Sequence, residues 1–243
     1  MKAVARWVAL VLLALVALQL FFIGRIALMA VIDPQSTTFQ RSEAWRIARQ
    51  HDQLRWIQRW VPYEQISDNL KRAVIASEDS GFAEHDGVDW DALERAWQRN
   101  AKAEELAAKR AALAPTRVKT PKIVGGSTIT QQLAKNLLLS GERNLLRKGQ
   151  EFVLTMALEH TLTKQRILEI YLNNVEWGEG VFGAEAAAQH YFRKPASRLN
   201  AYEAARLAVM LPQPKRFERT PGSGYLAGRS ATIVARMRDA ELP

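Results

Sequence analysis

The chain has no cysteine, which excludes a disulfide framework, a thiol nucleophile and any zinc site built on thiolates. It has no His-Glu-x-x-His run, and its acids lack the regular spacing and central glycine of an EF-hand loop. No internal repeat runs through it. Acidic residues are in deficit, with 25 Asp and Glu against 34 Lys and Arg, a formal net charge of +9 and a pI near 10.0. An excess of that size calls for an anionic partner, which could be nucleic acid, anionic lipid or a phosphorylated substrate.

What is present begins with an apolar run. Trp7 to Ile23 carries no charge, and after Gly24 and Arg25 the apolar character resumes up to Asp33. Such a stretch can span a bilayer with Arg25 reaching the far interface. A cleaved signal peptide competes, since Lys2 and Arg6 would suit its charged start. The run exceeds the usual apolar segment of a signal, however, and no Ala-x-Ala site follows. An uncleaved anchor over residues 1–33 is expected, with the charged N-terminus kept cytoplasmic. Everything after it would then face outward, where nucleic acid is no partner.

Residues 34–61 read as a juxtamembrane connector in which Trp45, Trp56 and Trp60 alternate with arginines. That mixture suits a membrane interface, and equally a set of tryptophans packed in the core. The remainder, 62–243, is long enough for one sizeable core, as a single catalytic domain of two lobes. Helical patterns cover most of it. One from Asp91 to Leu113 places Leu93, Ala96 and Trp97 at core spacing, and the basic segment 114–122, with two prolines, reads as a mobile loop. The tail after Gly222 reads as an amphipathic helix dispensable for the reaction.

The chemistry concentrates in Ala76 to Asp91, where six carboxylates crowd round one histidine. Glu78 and Asp79 stand side by side at the end of an apolar run. A general base needs burial or a like-charged neighbour to raise its pKa, and Glu78 has both in prospect. A solvated acidic loop or a cation site is the plainer alternative. In Gly125 to Asn136, Thr128 and Gln131 have the form of a capping box, so a helix starts there and offers hydroxyls and N–H groups to an anion. Lys135 lies one turn past Gln131. An ordinary capped helix is the alternative. In the next helix, from Asn144 to Leu162, Leu145, Phe152, Val153 and Met156 lie on one side, and Arg147, Lys148 and Glu151 on the other. Arg147 and Glu151 by themselves read as a surface ion pair.

Taken together, Glu78, Asp79, Phe82, His85 and Gly87 in the first stretch and the run Gly-Ser-Thr-Ile-Thr-Gln-Gln in the second resemble the peptidoglycan glycosyltransferases, glycosyltransferase family fifty-one. The resemblance extends from about Pro62 to Pro214, and the single anchor makes the chain similar to the monofunctional members of that family. It implies a mainly α, lysozyme-like fold of two lobes beside the membrane. It also implies polymerisation of lipid II into β-1,4 glycan, with Glu78 as base and Glu151 as a second catalytic carboxylate. Lys135, Arg143, Arg147, Lys148, Ser127, Thr130, Gln131 and Gln132 would bind substrate. No cofactor is required by this reading, although a divalent cation, Mg or Mn, could assist the diphosphate; no metal ligand can be named. Partners would be lipid II, the growing strand, membrane lipid and other proteins of cell-wall synthesis or division. The location would be the bacterial inner membrane, with the domain in the periplasm. A glycan-cleaving enzyme of lysozyme type and a non-catalytic scaffold are the rival functions.

Overall fold

The computed structural model describes residues 1–52, 54–113, 125–139 and 144–243. The fold is mainly helical, and its helices end where local chemistry says they should. α1 (Lys2–Leu28) is the apolar run. At 27 residues it is about 40 Å long, enough to cross a membrane. Its end is built into the body: Ile26 and Met29 are buried, and the Arg166 guanidinium donates to the Met29 carbonyl at 2.8 Å and pairs with Asp33 at 2.7 Å. Gln19, inside the apolar run, exchanges side-chain hydrogen bonds with Gln150 at 2.9 and 3.0 Å. A removable leader would not be expected to carry core residues.

Segment 34–61 is likewise part of the fold. α2 (Thr38–His51) starts at a capping box made by Thr37 and Gln40. Thr38 donates to the Leu137 carbonyl at 3.0 Å and Gln40 to the Asn174 carbonyl at 3.0 Å, which fixes α2 against the helices that follow. β1 (Ile57–Gln58) pairs in parallel with β3 (Val181–Phe182), whose other edge takes β2 (Glu176–Gly178) antiparallel. The tryptophans divide between their two readings: Trp45 is exposed beneath Arg49, Trp56 packs on Phe182 and Trp60 lies against the core beneath Arg166.

The remaining helices are α3 (Asp68–Glu78), α4 (Trp90–Leu113), α5 (Ile129–Leu138), α6 (Leu145–Thr161), α7 (Lys164–Asn174), α8 (Ala184–Phe192), α9 (Ala201–Met210), α10 (Pro214–Arg219) and α11 (Gly224–Arg236). They form two groups round one continuous core. α3, α9 and α11 pack together, α5 packs with α6, α2 and α7, and α1 lies along α6. Trp177 of β2 is wholly buried and donates to the Leu207 carbonyl at 3.1 Å, so the small sheet is pinned to α9. Asn173 holds both backbone groups of Val61 through its amide.

Two expectations are corrected, one on α4 and one on the tail. Of the residues at core spacing on α4 only Ala96 is buried; Leu93 and Trp97 are 43% and 76% exposed. The helix meets the body through short side chains and backbone, and a Cβ on Gly126 would lie only 3.2 Å from the Leu93 Cα. On α6 the apolar side is the outer one. Leu145, Phe152 and Val153 are exposed, while Glu151, Leu154, Thr155 and Leu158 turn inward. Finally, the tail is no appendage, because α11 packs on α3 and α9 and buries Leu226, Ile233 and Met237. The segment read as a mobile loop, 114–122, lies outside the described residues.

Candidate active site

Glu78 is the last residue of α3, whose apolar face is buried from Leu70 to Ala76. The carboxyl is therefore carried to the edge of the core and left there. Gln132 of α5 donates to it at 3.0 Å, and the Tyr171 hydroxyl of α7 donates to the same amide's oxygen at 3.0 Å. With its oxygen occupied, the amide must turn its N–H to Glu78. Burial pushes the Glu78 pKa up; the hydrogen bonds from Gln132 and Ser77 pull the other way, and the Asp79 charge adds a smaller upward push. A carboxyl so placed is poised to exchange a proton.

Asp79 has a different task. One oxygen meets His85 Nε2 at 2.9 Å and the other accepts from the backbone N–H of Ile129, the first residue of α5, at 2.9 Å. The Gly87 N–H donates to His85 Nδ1 at 3.1 Å, so the ring keeps its proton on Nε2 and donates it to Asp79. Thr128 donates to the Gly87 carbonyl at 2.6 Å. Gly87 is required here, since its φ is +86° and a Cβ would lie 2.8 Å from Thr155 and Glu159. Asp79, His85 and Thr128 thus tie the first motif to the second and set Glu78 against Gln132.

That arrangement corrects the reading of the α5 start as an anion site for substrate. The Thr128–Gln131 capping box is present, but the Ile129 N–H is already taken by Asp79 and the Gln131 N–H by Thr128. Gln131 is buried as part of the cap, and Thr130 points inward to donate to Glu159. Neither reaches the cleft. Lys135 shares the cleft wall with Gln132 rather than with Gln131.

Two cavities are linked through the Gln132–Glu78 hydrogen bond. One, of about 260 Å³, is lined by Glu78, Ser127, Asp89, Arg95, Arg99 and, from α11, Arg236. The other, of about 470 Å³, is lined by Gln132, Lys135, Asn136, Arg147 and Glu176, with Phe39 and Ser42 of α2 and Leu211, Pro212 and Pro214 opposite. Glu151 borders neither. It is 4% exposed and sits between Arg147, at 3.0 Å, and Lys148, so it orders Arg147, which faces the second cavity, and Lys148 beside it. Arg143 lies outside the described residues. Among those described, no three His, Asp or Glu side chains converge as the ligands of a metal would. Tyr171, Asp79, Arg95, Arg99, Arg236 and the α2 wall escaped the sequence-based site list. Only Asp79, inside the first motif, carried a signal that could have placed it there.

The chain is similar to known proteins over nearly its whole length. The family model described as Transglycosylase matches residues 46–238. A biosynthetic peptidoglycan transglycosylase of Burkholderia thailandensis is 51% identical, with 100% of this chain and 90% of the relative covered. Proteins of the same name from Burkholderia pseudomallei and Paraburkholderia xenovorans are 50% identical, covering 100% and 98% of this chain and 90% and 94% of the relatives. The chain belongs to the transglycosylase family.

Proposed function

We propose that this peptidoglycan glycosyltransferase polymerises lipid II, with Glu78 as the general base. Glu78 takes the proton from the 4-hydroxyl of the acceptor's N-acetylglucosamine. The freed oxygen pair forms a bond to the anomeric carbon of the donor's N-acetylmuramic acid, the bond from that carbon to the diphosphate breaks, and undecaprenyl diphosphate carries away the electron pair. One displacement turns an α-linked diphosphate into a β-1,4 bond. The observation that carries this reading is Glu78 itself, which lines one cavity with Arg95, Arg99 and Arg236 and is hydrogen-bonded to Gln132 of the other, where Lys135 and Arg147 lie. The donor's diphosphate would meet Lys135 and Arg147, with Lys148 and Arg143 as further cations of the same group. The acceptor's diphosphate would meet Arg95, Arg99 and Arg236 beside Glu78. A neutral glycan, the substrate of a cleaving enzyme, gives no reason for two cationic clusters. A divalent ion finds no cluster of three His, Asp or Glu side chains among the described residues.

The anchor and the exposed apolar side of α6 support a site at the surface of the bacterial inner membrane. Lys2 and Arg6 precede the span, so the N-terminus would be cytoplasmic and the domain periplasmic. The test is to incubate the full chain with lipid II: glycan polymer supports the proposal. Release of sugars from preformed glycan would mean a cleaving enzyme, and neither activity would mean a scaffold.

A further inference from the structure

Glu176 is a buried carboxyl for which the reaction above has no use. It belongs to β2, is 6% exposed, and lines the cavity that holds Gln132, Lys135 and Arg147. Among the described residues its Oε1 is buried without a hydrogen-bond partner, and burial pushes its pKa up to about 7. The nearest cation, Lys215 Nζ, is 3.5 Å away, too long for a good hydrogen bond, and is itself hydrogen-bonded to Glu43. A buried carboxylate oxygen with no donor is costly, and a fold keeps one where something else supplies the donor. The platform is rigid: the Glu176 backbone pairs with Phe182, and the neighbouring Trp177 is locked in the core.

We propose that Glu176 is a sugar-binding residue of the donor cavity, its free oxygen accepting a hydrogen bond from an acetamido N–H or a ring hydroxyl of the glycan strand. The inference rests on the proposed polymerisation of lipid II and names a residue that selects how the donor lies. The donor's diphosphate is drawn to Lys135 and Arg147 of the same cavity, which leaves Glu176 to the sugar. An ammonium is a poor candidate for the same spot, because Lys215 already stands beside it. A neutral N–H or O–H is the donor that satisfies Glu176 without a second charge. Phe39, Leu211 and Pro212 supply apolar surface in the same cavity for a sugar face or an acetamido methyl.

The test is equilibrium binding to the full chain in detergent of two probes: a lipid-free tetrasaccharide of alternating N-acetylglucosamine and N-acetylmuramic acid, and undecaprenyl diphosphate. At about pH 8, above the Glu176 pKa of about 7, Glu176→Ala is expected to weaken the tetrasaccharide about tenfold or more, as loss of a hydrogen bond to a charged group does, and to leave undecaprenyl diphosphate within twofold. Lys135→Ala should do the reverse. If Glu176→Ala fails to fold, Glu176→Gln keeps the volume and should show the same one-sided loss, smaller by several-fold. Equal loss on both probes, no loss on either, or no tetrasaccharide binding by the unaltered chain overturns the assignment. Polymerisation of lipid II by the unaltered chain is scored separately, so failure here leaves the proposed function standing.

Discussion

Glu78 and Glu151 are both helix-borne carboxylates withdrawn from water, yet their partners give them opposite characters. Glu78 has only neutral donors, Gln132 and Ser77, and burial raises its pKa. Glu151 is held between Arg147 and Lys148. On the proposed function the first carries the proton, while the second is the counter-ion of two cations. Counting carboxylates in a site therefore assigns nothing until each one's partners are known.

The largest effect should come from Glu78→Gln, which keeps shape and hydrogen bonding but cannot accept a proton. Turnover of lipid II should drop by about a hundredfold or more while lipid II still binds. The same variant sharpens the comparison thermally. A carboxyl whose folded pKa is raised destabilises the fold when ionised, a cost absent below the unfolded carboxylate pKa and fully present above the folded one. Glu78→Gln should therefore melt higher than the unaltered chain at neutral pH and lose that advantage under acid. Glu151→Gln should show no such gain, since it gives up two ion pairs. A scan of melting temperature against pH for the two variants decides it.

Next in size are the cations. Lys135→Ala and Arg147→Ala should each cost on the order of 3 kcal/mol in the transition state, with binding less affected. Glu151→Gln, whose amide oxygen can still accept from Arg147, should cost less than either. Single-turnover rates measure all three. Should Glu151→Gln match Glu78→Gln, the distinction between proton carrier and counter-ion collapses.

Much of this was legible in the sequence, because local chemistry writes it there. The capping box Thr128–Gln131 marks a helix start, and it forms. Helical spacing also separated Glu151 from Leu145, Phe152 and Val153, but it could not say which side faces the protein. Periodicity reports an apolar stripe and is silent on whether protein or lipid covers it. Likewise nothing local shows that Arg236, near the end of the chain, returns to the cavity of Glu78, or that α2 closes the other. Those are long-range packing facts. Thr130 and Gln131 were misplaced for a related reason: a motif names residues without saying which of them point inward.

The smallest expected effect, and the finest probe of the comparison, lies one bond behind Glu78. Tyr171 is fully buried, and burial pushes its pKa well above the ordinary phenol value, so its hydroxyl remains a donor throughout the working range. By occupying the Gln132 oxygen it compels the amide to point its N–H at Glu78, which favours the ionised carboxylate and holds back the upward push of burial. In Tyr171→Phe the amide is free to present either end. The ionised form then loses part of one hydrogen bond, the Glu78 pKa rises further, and the acid limb of kcat/KM moves to higher pH. Because the base must be ionised, activity is lost as pH falls through that limb, and for the unaltered chain the limb should already lie above the ordinary carboxylate value. Well above the limb the rate should drop by only about threefold, the worth of part of a neutral hydrogen bond. A Tyr171→Phe profile whose acid limb coincides with that of the unaltered chain would show that Gln132 is oriented by something other than Tyr171, and the neutral environment of Glu78 would need another explanation.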